Sequence, residues 1–250
     1  MKGPERMSFV DHLGELRRRL IWILVVLFIT LIIGFVVAGP IILYLRDVKP
    51  ALGMEWNVFS PWDTLRIYMQ VAMTVAIAVT LPFILYHLWA FTKPGLKQHE
   101  QRATVMYIPA AFVLFLGGLA FGYFVVFPLA FYFTTVLTGA LGLTEMYGVA
   151  QYFAFMFNII LPISLLFELP VVVLFLTQLR ILQPHLLTKF RKVAYLLLLI
   201  IGALITPPDV ISALIVSIPM ILLFELSVWL SKRVYRKQLA NDEKYDQVND

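Results

Sequence analysis

The sequence predicts an all-α membrane protein: six transmembrane helices in a bent bundle with a concave face, the fifth and sixth of them short. Three observations carry this. The 250 residues are 61% hydrophobic and 14% charged, against roughly 45–50% and about 25% for soluble domains, and the mean hydropathy is +0.86. The apolar residues fall in long unbroken runs, whereas an outer-membrane barrel would show short alternating segments. The basic residues gather in alternate loops. No cysteine is present, which removes disulfides, thiolate metal sites and a cysteine nucleophile. Residues 1–250 read as a single integral membrane domain.

A span needs roughly 20 apolar residues to cross about 30 Å of hydrocarbon. The first run, Leu20 to about Leu45, follows Arg17-Arg18-Arg19. It is far longer than the roughly 7–15 residues of a signal-peptide core, and no small-x-small cleavage site follows, so it reads as a retained helix. Ahead of it, residues 8–19 place Phe9, Leu13 and Leu16 at helical spacing with Leu20, an amphipathic segment expected to lie at the cytoplasmic interface. Further runs cover about Leu65–Leu88, Ala103–Phe127, Gln151–Leu176, Val193–Ile205 and Val210–Leu230. Ser8-x-x-Asp11, Ser60-Pro61-Trp62-Asp63 and Thr206-Pro207-Pro208-Asp209 each set a hydroxyl N-cap three residues before an acid, the last two with proline at the first helical position. The Thr206–Asp209 turn makes spans five and six a tight hairpin. Span five has 16 residues between Lys192 and Asp209, about 24 Å of helix at roughly 1.5 Å per residue. A helix that short is expected to thin the bilayer locally.

Pro82, Pro109, Pro162, Pro170 and Pro219 interrupt the other spans, each removing a helix hydrogen bond and bending the rod. Gly118-x-x-x-Gly122 permits close helix approach in span three, more readily within the bundle than in a dimer contact. The tail 232–250 is polar and mixed in charge and is expected to be disordered.

Six spans put both termini on one side. The N-terminal segment, the 93–102 and 180–192 loops and the tail hold 17 of the 20 Lys and Arg residues; the opposite loops hold Arg46, Lys49 and Arg66. The positive-inside rule makes both termini cytoplasmic. The basic balance is thus a topology signal, and nucleic acid is not an expected partner.

No catalytic constellation is written in the chain: no zinc-peptidase helix motif, no Gly-rich phosphate loop, no acids paired at one depth. His12, His87, His99 and His185 share no metal-ligand spacing. No enzyme activity, cofactor or metal is expected. What does stand out is Glu168, deep in span four between Leu-Leu-Phe and Leu-Pro-Val. A charge there is costly, so an intramembrane acid is a functional hypothesis by default. With no Lys or Arg at its depth, it is expected to be protonated or hydrogen-bonded to a polar group of another helix. Glu225 lies nearer the cytoplasmic end of span six, beside Lys232 and Arg233, and reads as an interfacial acid. Glu15 can pair with Arg18 or Arg19 on its own helix, worth a few tenths of a kcal/mol. In the loop Phe91–Arg102, Pro94-Gly95 makes a turn, and Glu100 sits where the dipole of the next helix favours an acid.

His12-Leu13-Gly14-Glu15-Leu16-Arg17-Arg18-Arg19-Leu20, Phe91-x-x-Pro94-x-Leu96-x-x-x-Glu100, Tyr123-Phe124-Val125-Val126-Phe127-Pro128, Phe167-Glu168-x-Pro170 and Thr206-Pro207-Pro208-Asp209 follow in order over essentially the whole chain. Together they resemble the TatC family, the multi-spanning receptor subunits of the twin-arginine translocase. Gln101 departs from the pattern, since relatives commonly carry a basic residue there.

The resemblance implies a receptor that recognises twin-arginine signal peptides on the cytoplasmic side. With small single-span subunits of the TatA/TatB type, it moves folded proteins across the cytoplasmic membrane on the proton-motive force. It implies a signal-peptide site of Glu15, Glu100, Phe91, Arg17 and Leu96, a hydrogen bond from Glu168 to a partner's helix, and an outside hairpin at Pro207, Pro208 and Asp209. Membrane lipids and further copies of the chain are the other expected partners. Guanidinium pairs favour planar bidentate carboxylates, which lysine matches poorly. An exposed ion pair gives only about 0–1 kcal/mol, so the signal's apolar stretch must add affinity, against the concave face. The alternative is a proton-coupled secondary transporter with Glu168 as its ion site. That fold would show broken helices in corresponding positions of two halves, and the chain offers only Leu81-Pro82 and Leu169-Pro170.

Overall fold

The computed structural model describes residues 9–52, 54–93, 101, 104–205 and 210–249, with side chains placed from 13 to 240 except at 210–212. In chain order the helices are α1 Phe9–Arg46, α2 Pro61–Thr92, α3 Tyr107–Phe121, a π turn Gly122–Val126, α4 Phe127–Ala140, α5 Val149–Leu166, α6 Leu169–Gln178, α7 Pro184–Lys189, α8 Arg191–Ile205 and α9 Val210–Asn249. An isolated bridge joins Asn57 and Gly148. Among the described residues, five stretches are long and apolar enough to cross a membrane: Leu13–Arg46, Pro61–Thr92, Tyr107–Ala140, Val149–Gln178 and Ala213–Ala240. The 15-residue α8 falls short of that length.

Half of the fourth stretch is buried against 11% of the first, so α5 and α6 form the axis around which the rest packs. Phe153, Met156, Ile159 and Ile163 of α5 are almost fully enclosed. Helix α1 lies along α2, α2 reaches α3 and α5, α3 packs on α5, and α9 joins α6 to α8. Close approach is made where a side chain is missing. A Cβ on Gly118 would stand 2.7 Å from Ser164 Cα and 3.0 Å from Phe167 Cβ, and one on Gly122 3.1 Å from Ile160 Cα. The Gly118-x-x-x-Gly122 pattern therefore joins α3 to α5 inside the bundle. Buried hydroxyls pair across helices, Thr30 with Thr80 at 2.8 Å and Thr177 with Ser231 at 2.7 Å. At the end opposite the termini, the Asn57 carbonyl accepts from Val149 N at 2.9 Å. Trp56 packs there on Tyr152 and Phe153.

The Ser60 cap forms as its sequence demands. Ser60 Oγ accepts from Trp62 N at 3.3 Å, and Asp63 Oδ2 accepts from Phe59 N and Ser60 N, both at 3.0 Å. The cap residues Ser8 and Thr206–Asp209 lie outside the described residues. Two expectations are corrected. Span three does not stop at Phe127: the Phe127 N–H reaches five residues back to the Gly122 carbonyl. This wider turn accommodates Pro128, which lacks an N–H and whose ring would crowd a normal turn, and the helix runs on to Ala140. From Phe9 the amphipathic segment is continuous with the first span. The tail, expected to be disordered, continues α9 to Asn249. Gln238 anchors it, its Nε2 donating to the Gln178 carbonyl at 3.0 Å.

Candidate functional site

The first turns of α1 meet the last turn of α2 at the end of the bundle that holds both termini. Arg19 is the link. Its Nε donates to Glu15 Oε1 at 3.0 Å, and its Nη2 contacts the same oxygen. That Nη2 also donates to the Ala90 carbonyl at 3.2 Å, 71 residues away in the chain. Glu15 and Arg19 are neighbours because i and i+4 share one helix face. The second carboxylate oxygen, Oε2, is buried and has no hydrogen-bond partner among the described residues. Phe91 follows Ala90 directly and is half-buried. Arg17, on another face of α1, is exposed and takes no part in this pair. Of the five residues expected at one site, Glu15 is tied through Arg19 to Ala90, the residue before Phe91; Leu96 and Glu100 lie outside the described residues.

The loop leaving α2 is fastened at its base. Trp89 Nε1 donates to the Gln101 carbonyl at 3.3 Å, and Gln101 Nε2 donates to the Lys93 carbonyl at 3.1 Å. The Lys93 ammonium sits 5.2 Å from the Trp89 ring centre. Gln101, the departure from the family pattern, thus closes the loop by amide chemistry. Arg19 was visible in the sequence as a possible partner of Glu15, but its bond to Ala90 carries no local signal.

Glu168 stands at a break. Helix α5 ends at Leu166 and α6 begins at Leu169, with Pro170 in the first turn of α6. The missing proline N–H and its ring account for an interruption one turn earlier. Glu168 is 7% exposed, and its Oε1 has no hydrogen-bond partner among the described residues. A hydrogen bond to a polar group of another helix, one of the two expected outcomes, is not made at that oxygen. Glu225, read as an interfacial acid, finds partners other than the neighbouring Lys232 and Arg233. Its partners are Arg191, whose Nη2 donates to Oε2 at 2.8 Å, and the Tyr195 hydroxyl, which donates to Oε1. Arg233 instead stacks on Trp229 at 3.5 Å. Pro207, Pro208 and Asp209 lie outside the described residues.

A family model described as Sec-independent protein translocase protein (TatC) matches residues 11–219. A TatC protein of Halalkalibacterium halodurans is 48% identical over 231 residues, 92% of this chain and 91% of that protein. TatCd of Bacillus subtilis is 44% identical over 234 residues, 93% of this chain and 95% of its own. A crystal structure of the twin arginine translocase receptor TatC in DDM is 33% identical. It superposes with a TM-score of 0.74, covering 88% of this chain and 99% of that one.

Proposed function

The chain belongs to the TatC family, and from that premise we propose that the corner formed by Glu15, Arg19 and Phe91 is where twin-arginine signal peptides dock. The protein is a signal-peptide receptor and core subunit of a twin-arginine translocase, a multi-pass protein of the cytoplasmic membrane and not an enzyme. Nothing favours the secondary-transporter reading.

One observation carries the docking proposal: Glu15 Oε2 is buried and free of any described partner, while Oε1 is held by Arg19. A guanidinium delivered from the cytoplasm completes the coordination of that carboxylate. Arg19 fixes the acceptor in place through Ala90, so little ordering is left to the bound state. Family resemblance adds Glu100 as the second acid of the site, Arg17 and Leu96 as further contacts, and Phe91 as an apolar flank for the signal. The two acids stand on a face whose segments carry 17 basic and 8 acidic residues, a field that disfavours stray cations. The signal's apolar stretch continues into the concavity among α1, α2, α3 and α5. A cavity of about 160 Å³ among these helices, toward the end of the bundle opposite the Glu15 corner, is lined by Leu45, Val75, Leu119, Tyr123 and Phe157.

The same reading makes α8 the fifth of six spans and both termini cytoplasmic, supported by the alternate loading of basic loops. Small single-span subunits of the TatA/TatB type dock along the membrane, with Glu168 bonding a polar side chain of their helix and the α8–α9 hairpin as an edge. Pro207, Pro208 and Asp209 shape the hairpin's outer turn. Folded cargo crosses on the proton-motive force, and further copies of the chain assemble around it.

Binding to the detergent-solubilised protein tests the site, using a twin-arginine signal peptide and the same peptide with both arginines changed to lysine. Selective binding of the arginine peptide is expected. Glu15→Ala and Glu100→Ala should each lower it by about 1–2 kcal/mol, five- to thirtyfold. Equal affinity for the two peptides would remove this corner from the site.

A further inference from the structure

Where α7, α8 and α9 meet, an apolar groove of about 240 Å³ is lined by Leu186, Leu187, Phe190, Val193, Ala194 and Phe224 among others, every lining residue being apolar. Signal-peptide docking at the Glu15 corner makes no use of it. Phe190, Val193 and Leu197 are each about half exposed, so the groove opens outward from the bundle. Its rim is cationic. The Lys189 ammonium lies 5.9 Å from the centre of the Phe190 ring, which is one wall of the groove. Lys192 is exposed next to Val193. Arg191 uses Nη2 on Glu225 at 2.8 Å while its Nε is buried without a partner among the described residues. Glu225, the acid facing this cluster, is already engaged by both Arg191 and Tyr195. The depth of the groove is marked by Trp229, an interfacial type of residue, with Arg233 stacked on it. Trp229 lies five residues beyond Phe224, roughly 8 Å along the helix. With Trp229 marking the interface, Phe224 and the groove it lines lie on the acyl-chain side, and the long Lys189 and Lys192 side chains flanking the groove reach toward the headgroups by snorkelling.

We propose that this groove seats an acyl chain of an anionic phospholipid from the adjoining leaflet, with Lys189 and Lys192 holding its phosphate. The charge of the rim selects the occupant. A twin-arginine signal segment would meet like charge, and so would a second copy presenting the same rim. A zwitterionic lipid gains little from two lysines, whereas an anionic one gains the attraction that a basic patch has for such headgroups. The consequence is mechanical: a bound lipid braces the cytoplasmic end of a helix that has few other neighbours. The proposal rests on α8 being a membrane span.

The test reconstitutes the full chain in phosphatidylcholine bilayers with a trace of phosphatidylglycerol or phosphatidylcholine bearing a photoactivatable acyl chain, and maps adducts by mass spectrometry. Phosphatidylglycerol adducts should concentrate on residues 186–197 and Phe224, about tenfold above phosphatidylcholine, and Lys189→Gln/Lys192→Gln should remove that excess. Equal labelling by both lipids, or an excess unchanged in the double variant, overturns the lipid site while leaving α8 in the membrane. No adduct from either lipid along α8 overturns the spanning assignment as well. Signal-peptide binding, measured on the same samples, should be unchanged by the double variant. Its loss would make the groove part of the docking site and overturn the proposal.

Discussion

Glu15 and Glu168 are both carboxylates with a buried oxygen that no described group satisfies, and their surroundings give them different roles. Glu15 is about a quarter exposed and clamped by a guanidinium, so it remains an acceptor for a second cation arriving from water. Glu168 has no ion pair among the described residues and is buried at a helix break. A buried polar group left unpaired is destabilising by roughly 1–3 kcal/mol. Glu168→Leu is therefore expected to raise the thermal unfolding temperature of the detergent-solubilised protein. The same variant should weaken assembly with the single-span subunits and leave signal-peptide binding intact. Glu168→Gln, which keeps hydrogen-bonding capacity, should assemble nearly as well as the wild type. An unchanged or lowered unfolding temperature for Glu168→Leu would mean that the acid is satisfied in place and is part of the structural core.

Helices report how far local chemistry reaches. The Ser60 cap was legible because every donor and acceptor in it lies within four residues. The Gly118-x-x-x-Gly122 contact was legible because small residues one turn apart leave a flat strip on any helix. Span three was read only to Phe127 from its apolar run, whereas a π turn starting at Gly122 carries the helix past Pro128 to Ala140. The tail misled for a related reason: its polar composition suggests disorder, but Gln238 is anchored to a carbonyl 60 residues earlier. Partners of this kind, like Ala90 for Arg19 or Arg191 for Glu225, are brought together only by the fold. The glycine strip gives the sharpest check of packing. Gly118→Ala must push α3 away from Ser164 and Phe167, an overpacking cost of about 1–3 kcal/mol. Gly117→Ala meets nothing within 4 Å and should be neutral or slightly stabilising. Thermal unfolding of the two variants side by side should separate them, and equal unfolding temperatures would show that the α3–α5 contact is looser than described.

Across the whole molecule the helices differ in length far more than a uniform bilayer requires. Helix α1 has 38 residues, α9 has 40 and α8 has 15. At roughly 1.5 Å per residue α8 rises about 22 Å, against about 30 Å of hydrocarbon. On the proposal that α8 is the fifth span, the bilayer beside it must thin, or flanking polar groups must be drawn inward, and either response costs fractions of a kcal/mol per Å. The long helices impose no such demand, so the deformation is confined to the edge made by α8 and the membrane part of α9. That edge is where a translocase passing bulky cargo gains most from a shorter barrier. Inserting four apolar residues after Leu198 adds about one turn and rotates the rest of α8 by roughly 40°, which nearly preserves the face that Gly202 turns toward Ser217. The lengthened protein should bind signal peptides as before and show shallower thinning by hydrogen–deuterium exchange of the hairpin. It should also transport folded cargo more slowly, because the step after recognition now crosses a thicker membrane. Transport at the wild-type rate by a correctly inserted variant would show that the short helix serves packing alone.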